Sequence, residues 1–179
     1  MLESLITSKT RIKLLLKFFL NSNTRAHLRG LEGEFHESTN GIRLELNRFE
    51  LAGLLSAHTV GNRKFYSANT NHPLFIDIQH LVHKHIGLDQ VIEHVIQRLG
   101  EIDRVYLTGS FARGQESKVI ELIFVAGKID QEYMNRLITK ANKMINRDIQ
   151  YTIVENDLVD PLLKSVGKEN LLLLWQQAL

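Results

Sequence analysis

The chain has 179 residues, of which 44% are hydrophobic, and its formal net charge is +2 at pH 7. This hydrophobic content is ordinary for a globular protein and excludes a largely disordered chain. No apolar run approaches the ~20 residues of a membrane span, and we expect neither a membrane segment nor a signal peptide. The lack of cysteine excludes disulfides and cysteine-ligated zinc, and it favours a cytoplasmic protein.

Charge is unevenly distributed along the chain. Residues 1–87 contain eleven basic and seven acidic residues, whereas residues 88–179 contain eleven and thirteen. The basic half would suit a phosphate-rich partner, because cations steer association with nucleic acid. Gly87 lies between two predicted helices, and we place a domain boundary there, which gives domains of residues 1–87 and 88–179.

The first predicted helix runs from Ser8 (or Thr7), either of which can cap it, to about Leu20. Its apolar stripe consists of Ile12, Leu15, Leu16, Phe19 and Leu20. Basic residues outside this stripe would be either solvated or close to a DNA backbone, and they are Lys9, Arg11, Lys13 and Lys17. After a polar turn, a second helix is predicted from Ala26 to Phe35, with Leu28, Leu31 and Phe35 buried.

A third helix is predicted from Thr39 to Gly53. Ser38 or Thr39 can accept hydrogen bonds from its first backbone N–H groups, and Gly53 supplies a left-handed stop. The residues at helical spacing on its apolar face are Ile42, Leu46, Phe49 and Ala52. The opposite face is rich in hydrogen-bond donors and has no acids: Asn40, Arg43, Leu44, Asn47 and Arg48.

A basic hairpin follows this helix. Its strands are Leu54–His58 and Lys64–Ala68, joined by the turn Val60-Gly61-Asn62-Arg63. A helix followed by a basic hairpin is typical of a winged helix-turn-helix, although the same pair also occurs in other α+β domains. The segment RLELNRFELAGLLSAHTVGNRKFYSAN closely resembles the recognition helix and wing of bacterial ArsR-type regulators, and the resemblance extends from Ser8 to about Phe75.

The resemblance implies a homodimer that binds double-stranded DNA. At the matched positions, Asn40 and Arg43 are candidates for base reading, because asparagine can bind adenine and arginine guanine through two hydrogen bonds. Arg48, Arg63 and Lys64 suit phosphates, whereas Leu44 would meet a thymine methyl group or a protein partner. Gly41 also falls on the base-facing side. The complete candidate DNA-binding set is Thr39, Asn40, Arg43, Leu44, Asn47, Arg48, Asn62, Arg63 and Lys64.

Two further helices are predicted, from His72 to Gly87 and from Leu88 to Leu99. In ArsR-type proteins, helices that flank the winged motif commonly form the dimer interface, and the resemblance implies that role for the first of them. His80 and His83 share a helix face, but His85 points elsewhere and no acid completes a set. We therefore predict no metal site here.

The second half contains the motif Gly109-Ser110-Phe111-Ala112-Arg113-Gly114 directly after a predicted strand, Arg104–Thr108. It is similar to the Gly-Ser-x-Ala-Arg-Gly signature of minimal nucleotidyltransferases, whose Gly-Ser turn offers N–H groups to nucleotide phosphates. Two more strands, one helix and two terminal helices complete the prediction: Ile120–Val125, Ile149–Val154, Asp130–Asn146, Glu155–Lys164 and Lys168–Ala178. The last contains four consecutive leucines, which suggests a wedged segment or a partner contact.

The acidic residues of that family are incomplete here. Its signature continues as Ser-Asp-Ile-Asp-Leu on the next strand, where two alternating acids hold paired metal ions. The matching segment places Val119 at the first acidic position and Glu121 at the second, and the alternatives for a replacement ligand are Glu116 and Asp148. We predict no nucleotidyl transfer, no catalytic residues and no metal ligands. A nucleotide or divalent cation remains a candidate ligand of Gly109, Ser110, Arg113 and Glu121.

These patterns predict an α+β protein with an N-terminal winged helix-turn-helix domain followed by a small α/β nucleotidyltransferase-like domain with a mixed sheet. The preferred hypothesis is a transcriptional regulator that is not an enzyme and whose second domain is a sensor or a scaffold. An active nucleotidyltransferase with an autoregulatory DNA-binding domain is the first alternative. A protein–protein module is the second, favoured by the exposed Leu44 and the leucine-rich terminus.

Overall fold

A computed structural model describes residues 2–99, 102–167 and 170–177. The chain is mixed α+β with two sheets, one of which is mixed, and it divides between His85 and Ile86 into two compact units. Among the described residues, none of the helices combines the length and apolar character that crossing a bilayer requires.

The helices of the first unit are α1 (Leu2–Leu5), α2 (Lys9–Leu15, continued by a π-helical turn, Leu16–Leu20), α3 (Leu28–Phe35), α4 (Thr39–Leu51) and α5 (Phe75–Ile86). Ser8 caps α2, and its Oγ accepts a hydrogen bond from the Arg11 N–H at 3.2 Å. All five residues of the predicted apolar stripe are buried. The predicted first helix is therefore confirmed.

The first unit has a three-stranded antiparallel sheet in the order β1-β3-β2. Its strands are β1 (Ala26–His27), β2 (Leu55–Val60) and β3 (Arg63–Ala68), and we call β2, β3 and their turn the wing. The predicted hairpin is confirmed, and so is the predicted second helix from Leu28 onward, but its first two residues, Ala26 and His27, form a strand instead. Ala26 pairs with Tyr66, and α3 begins only at Leu28 because the extended His27 caps it, its Nδ1 accepting the Gly30 N–H at 2.9 Å. Leu28 is half-buried, whereas Leu31 and Phe35 are buried as predicted.

Helix α4 is built largely as predicted. The Ser38 Oγ accepts the Gly41 N–H at 3.2 Å, and Ile42, Leu46 and Phe49 are buried. The helix ends because Gly53 adopts φ +73, which lets the N–H groups of residues 53 and 54 return to the carbonyls of residues 50 and 49, each at 2.9 Å. Ala52 is exposed, so its predicted burial is wrong. It lies beyond the last helical residue, where the apolar face no longer continues.

The second unit contains α6 (Leu88–Val91), a π-helical turn (Ile92–Ile96), α7 (Gln97–Leu99), β4 (Ile102–Thr108), α8 (Gly109–Ala112), β5 (Val119–Ala126), α9 (Gln131–Ile145), β6 (Asp148–Val154), α10 (Asn156–Val166) and β7 (Leu172–Gln176). The sheet has the order β6-β5-β4-β7, in which only the β5–β6 pair is parallel. Asp130 caps α9 by accepting the Tyr133 N–H at 3.0 Å, and Asn146 ends it at φ 53. Both ends of this helix were predicted correctly.

The helix predicted over residues 168–178 is wrong where the structure describes it. Leu172–Gln176 is β7 and pairs antiparallel with β4, while Lys168, Glu169 and Ala178 lie outside the described residues. A short apolar run fits a strand as well as a helix, and here the edge of β4 supplies the hydrogen-bond partners. Leu171 packs against a buried cluster that includes Tyr106 and Val159, whereas Leu173 is 46% exposed.

Candidate nucleic-acid interface and the Gly-Ser turn

A cleft of about 580 Å³ lies in the first unit between α4, the wing and the start of α3. We call it the cleft throughout, and its lining consists of His27, Leu28, Arg29, Arg43, Asn47, Asn62, Arg63, Lys64 and Tyr66. Four of these residues are cations and none is a carboxylate. The lining therefore offers a basic groove in which hydrogen-bond donors accompany an apolar and aromatic wall.

Helix α4 presents the predicted donors to solvent. Asn40, Arg43 and Asn47 are exposed, and Leu44 is 52% exposed. Within the described chain, the side chains of Arg43 and Asn47 make no hydrogen bond or ion pair, so their donors are available to a ligand. Thr39 is half-buried in the first turn. Of the predicted base-reading pair, Arg43 lines the cleft and Asn40 does not.

The wing brings two neighbouring cations to the cleft in different states. Arg63 is exposed and has no partner among the described residues. Lys64 instead donates to Glu50 Oε2 on α4 at 2.7 Å, and its Nζ lies 5.3 Å from the centre of the Tyr66 ring. The hydrogen bond to Glu50 raises the pKa of Lys64 above its ordinary value. The charge of Lys64 is thus partly balanced within the protein.

Arg48 is also paired internally. Its guanidinium donates to Glu45 Oε1 at 2.8 Å, and the same buried carboxylate accepts from Arg11 at 2.8 and 3.3 Å. Burial opposes ionisation of Glu45, but the hydrogen bonds and charges of the two arginines outweigh it and hold its pKa below the ordinary value. Arg48 is therefore less available to a phosphate than the sequence suggested.

The basic residues of the first helix were predicted to be solvated or close to a DNA backbone. This is wrong for three of the four, because they form ion pairs within the protein. Arg11 binds Glu45, Lys13 binds Glu37 at 2.6 Å and the buried Lys17 binds Glu34 at 2.7 Å. Burial opposes ionisation of Glu37, but Lys13 and Thr10 hydrogen-bond it and its pKa is lowered. These pairs tie α2 and its π-helical turn to α3, to α4 and to the turn between those two helices. Lys9 is exposed.

His27 and Arg29 line the cleft but were not among the predicted residues. His27 reaches the cleft because β1 pairs with β3, and its ring meets Phe65 edge-on at 5.2 Å between centroids. A strand of two residues leaves almost no periodic signal, so its register with the wing could not be predicted. Arg29 was predicted to lie in the second helix, as it does in α3, but no pattern placed the start of that helix beside the wing. Its basic side chain was the available signal.

In the second unit, Gly109 and Glu121 lie together. Gly109 follows β4 at φ +66, and a Cβ atom there would fall 1.9 Å from Glu121 Oε1. Glycine is therefore required by the backbone and by the approach of the carboxylate. Ser110 is half-buried and Arg113 is exposed. None of the hydrogen bonds or ion pairs of the described chain involves the Glu121 carboxylate.

The neighbouring strand brings one acid, Asp148, to this face, but it lies beside Val119 and not beside Glu121. Residues in register on adjacent strands point to the same face, and β5 and β6 align Glu121 with Gln150 and Val119 with Asp148. The Gln150 amide thus lies beside Glu121. The exposed Asp148 lies beside Val119, two residues before the position that pairs with Glu121. This face thus lacks the pair of alternating acids on one strand that the nucleotidyltransferase signature places there.

Glu116, the other alternative for a replacement ligand, is paired with a cation. Its carboxylate accepts from Arg147 at 2.6 Å, and Arg147 also donates to the Ser117 carbonyl and lies over the Phe111 ring at 5.2 Å. In the described ranges, no group of three His, Cys, Asp or Glu side chains could hold a metal ion. That finding includes the helix that carries His80 and His83.

No family model and no curated protein matches the chain. Among the solved structures that resemble part of it are the following two. Reduced HlyU from Vibrio cholerae N16961 is 16% identical, with a TM-score of 0.37, over 46% of this chain and 82% of that one. A "putative nucleotidyltransferase" from Sulfolobus solfataricus is 18% identical, with a TM-score of 0.38, over 56% of this chain and 86% of that one. Likenesses of this size carry no functional argument.

Proposed function

We propose that this protein is a cytoplasmic DNA-binding transcriptional regulator that binds double-stranded DNA through α4 and the wing. One observation carries the proposal: four cations and two asparagines from three elements surround one cleft, and no carboxylate lines it. Cations neutralise phosphates, and guanidinium and amide groups can read base edges. The exposed, unpartnered donors of Arg43 and Asn47 support a role in base reading.

The internal ion pairs assign different roles to the cations. Arg63 and Arg29 have no carboxylate partner among the described residues and would bind phosphates. Arg48 and Lys64 would contribute less, because Glu45 and Glu50 already balance them. Following the resemblance to ArsR-type regulators, the proposal includes a homodimer on an inverted-repeat operator, with residues 1–87 as the DNA-binding domain.

The proposal also includes a nucleotidyltransferase-like domain, residues 88–179, that transfers no nucleotide and is a sensor or a scaffold. Val119 and Gln150 support this, because neither is a strong ligand for a hard divalent cation. The alternative is an active nucleotidyltransferase, and the unengaged carboxylate of Glu121 beside Gly109 favours it. Labelled nucleoside triphosphates with magnesium or manganese test it. Transfer that is abolished by Glu121→Gln would establish the alternative.

Salt-dependent DNA binding tests the main proposal. The logarithm of the association constant of the full chain for mixed-sequence duplex DNA should fall linearly with the logarithm of the salt concentration. The slope should be about −0.9 for each phosphate that is neutralised. A selected duplex should bind at least ~10³-fold more tightly than the mixed one at the same salt. An affinity that does not respond to salt would exclude the proposal and leave the protein–protein module.

A further inference from the structure

The carboxylate of Glu50, a residue of α4, contacts Lys64 of the wing. It accepts a hydrogen bond from Lys64 at 2.7 Å, although Glu50 itself is not part of the cleft lining. The side chains of Lys64 and Glu50 are 46% and 33% exposed, so both remain accessible to a ligand. The ring of the buried Tyr66 forms the second contact of this lysine.

Adjacent positions on the same strand provide a comparison. Arg63 carries the same charge, lines the same cleft and has no acidic partner within the described residues. Lys64 can bind a phosphate only if it leaves Glu50 or shares its charge between two anions. The ammonium group has a single charge, and its hydrogen bonds to anions are roughly twice as strong as neutral ones. A carboxylate that is already bound therefore reduces what a phosphate gains by binding to the same group.

We propose that Glu50 competes with a DNA phosphate for Lys64 and thereby sets the affinity and the salt dependence of DNA binding. This inference rests on the proposed function. It assigns Glu50 as a positioning residue that acts through Lys64 and touches no base. Relieving the competition adds one effective phosphate contact, which steepens the log–log salt slope by about 0.9. Between 50 and 200 mM salt, that slope corresponds to about a 3.5-fold change in affinity.

The test measures the salt slope of mixed-duplex binding for the full chain and four variants. These are Glu50→Gln, Lys64→Gln, the double variant and a charge-matched control, Asp77→Asn. Asp77 is an exposed acid of the first unit outside the cleft lining, and its side chain has no partner among the described residues. Glutamine keeps an acceptor oxygen at position 50, so the contact with Lys64 weakens without losing its geometry.

The expected result is a steeper slope and a several-fold tighter complex at low salt for Glu50→Gln, with no change for Asp77→Asn. In the Lys64→Gln background, Glu50→Gln should leave the slope unchanged, which a purely structural role of Glu50 would not predict. An unchanged slope for the single variant, or an equal change in both backgrounds, overturns the inference alone. A wild type that binds no duplex overturns the proposed function and this inference together.

Discussion

Replacing Glu45 with glutamine should destabilise the first unit. The buried carboxylate accepts three hydrogen bonds from Arg11 and Arg48, and the substitution keeps an acceptor oxygen but removes the charge. Removing one partner of a buried ion pair costs about 3–5 kcal/mol, and a hydrogen bond to a charged group contributes about 1.5–3 kcal/mol. The side chains of Arg11 and Arg48 are 37% and 52% exposed, so water can solvate them once the charge of Glu45 is removed. We therefore expect a loss in the lower of these two ranges. The free energy of unfolding should fall by about 2 kcal/mol.

The loss should depend on pH. The folded-state pKa of Glu45 is lowered, because the arginines outweigh the opposing effect of burial. A lowered pKa contributes stability that is complete above the unfolded-state value of about 4.3 and is lost as the pH falls through the folded-state value. The wild type and the variant should therefore differ most near neutral pH and become more alike in acid.

Urea unfolding followed by far-UV circular dichroism measures this difference at neutral and acidic pH. Hydrogen exchange of the α2 and α4 amides assigns the loss to the first unit. The control is Asp77→Asn, which removes an exposed acid of the same unit and should change stability by less than about 0.5 kcal/mol. The reasoning is refuted if Glu45→Gln is as stable as this control at neutral pH, or if its deficit is equally large in acid.

Four other substitutions test three separate features. Arg43→Ala should relax sequence preference by about 1–3 kcal/mol at one base pair, whereas Arg63→Ala should weaken all duplexes alike; equal losses on every duplex would contradict these roles. His27→Ala should cost about 1 kcal/mol by removing the cap of α3, measured by thermal unfolding and refuted by an unchanged midpoint. Gly87→Ala should cost about 2 kcal/mol or more, because φ is +90 and a Cβ would lie 2.8 Å from Ile145. Urea unfolding followed by fluorescence of the single tryptophan measures it, and wild-type stability would contradict the packing.

Elements that were predicted correctly carry their own start and stop signals. For α4 and α9, capping residues, a left-handed terminal residue and an apolar stripe all lie within one short segment. The strands β1 and β7 were predicted as helices because their identity depends on the edge that they pair with, which lies far away in sequence. Neither segment has a clear period of its own, so its distant partner decides whether it forms a strand.

The candidate site follows the same rule. Side-chain exposure on α4 and the tip of the wing follow from periodicity, so Arg43, Asn47 and Arg63 could be predicted from the sequence. The ion pairs could not be predicted, because Glu50 and Lys64 are separated by a strand and a turn whose packing decides whether they meet. Sequence therefore indicates which cations exist, and the fold decides which of them are already neutralised.

This distinction determines how strongly the cleft can bind DNA. In the described part of the first unit, internal pairs neutralise Arg11, Lys13, Lys17, Arg48 and Lys64 to differing degrees. The uncompensated cations of the cleft are Arg29, Arg43 and Arg63. Of these, Arg29 and Arg63 are assigned to phosphates and Arg43 to a base. Two phosphate contacts give a log–log salt slope of about 1.8 for one protomer, and two such clefts on one duplex give about 3.6. A slope near 1.8 would thus argue for binding as a monomer, whereas a slope near 3.6 on an inverted repeat would argue for the proposed dimer.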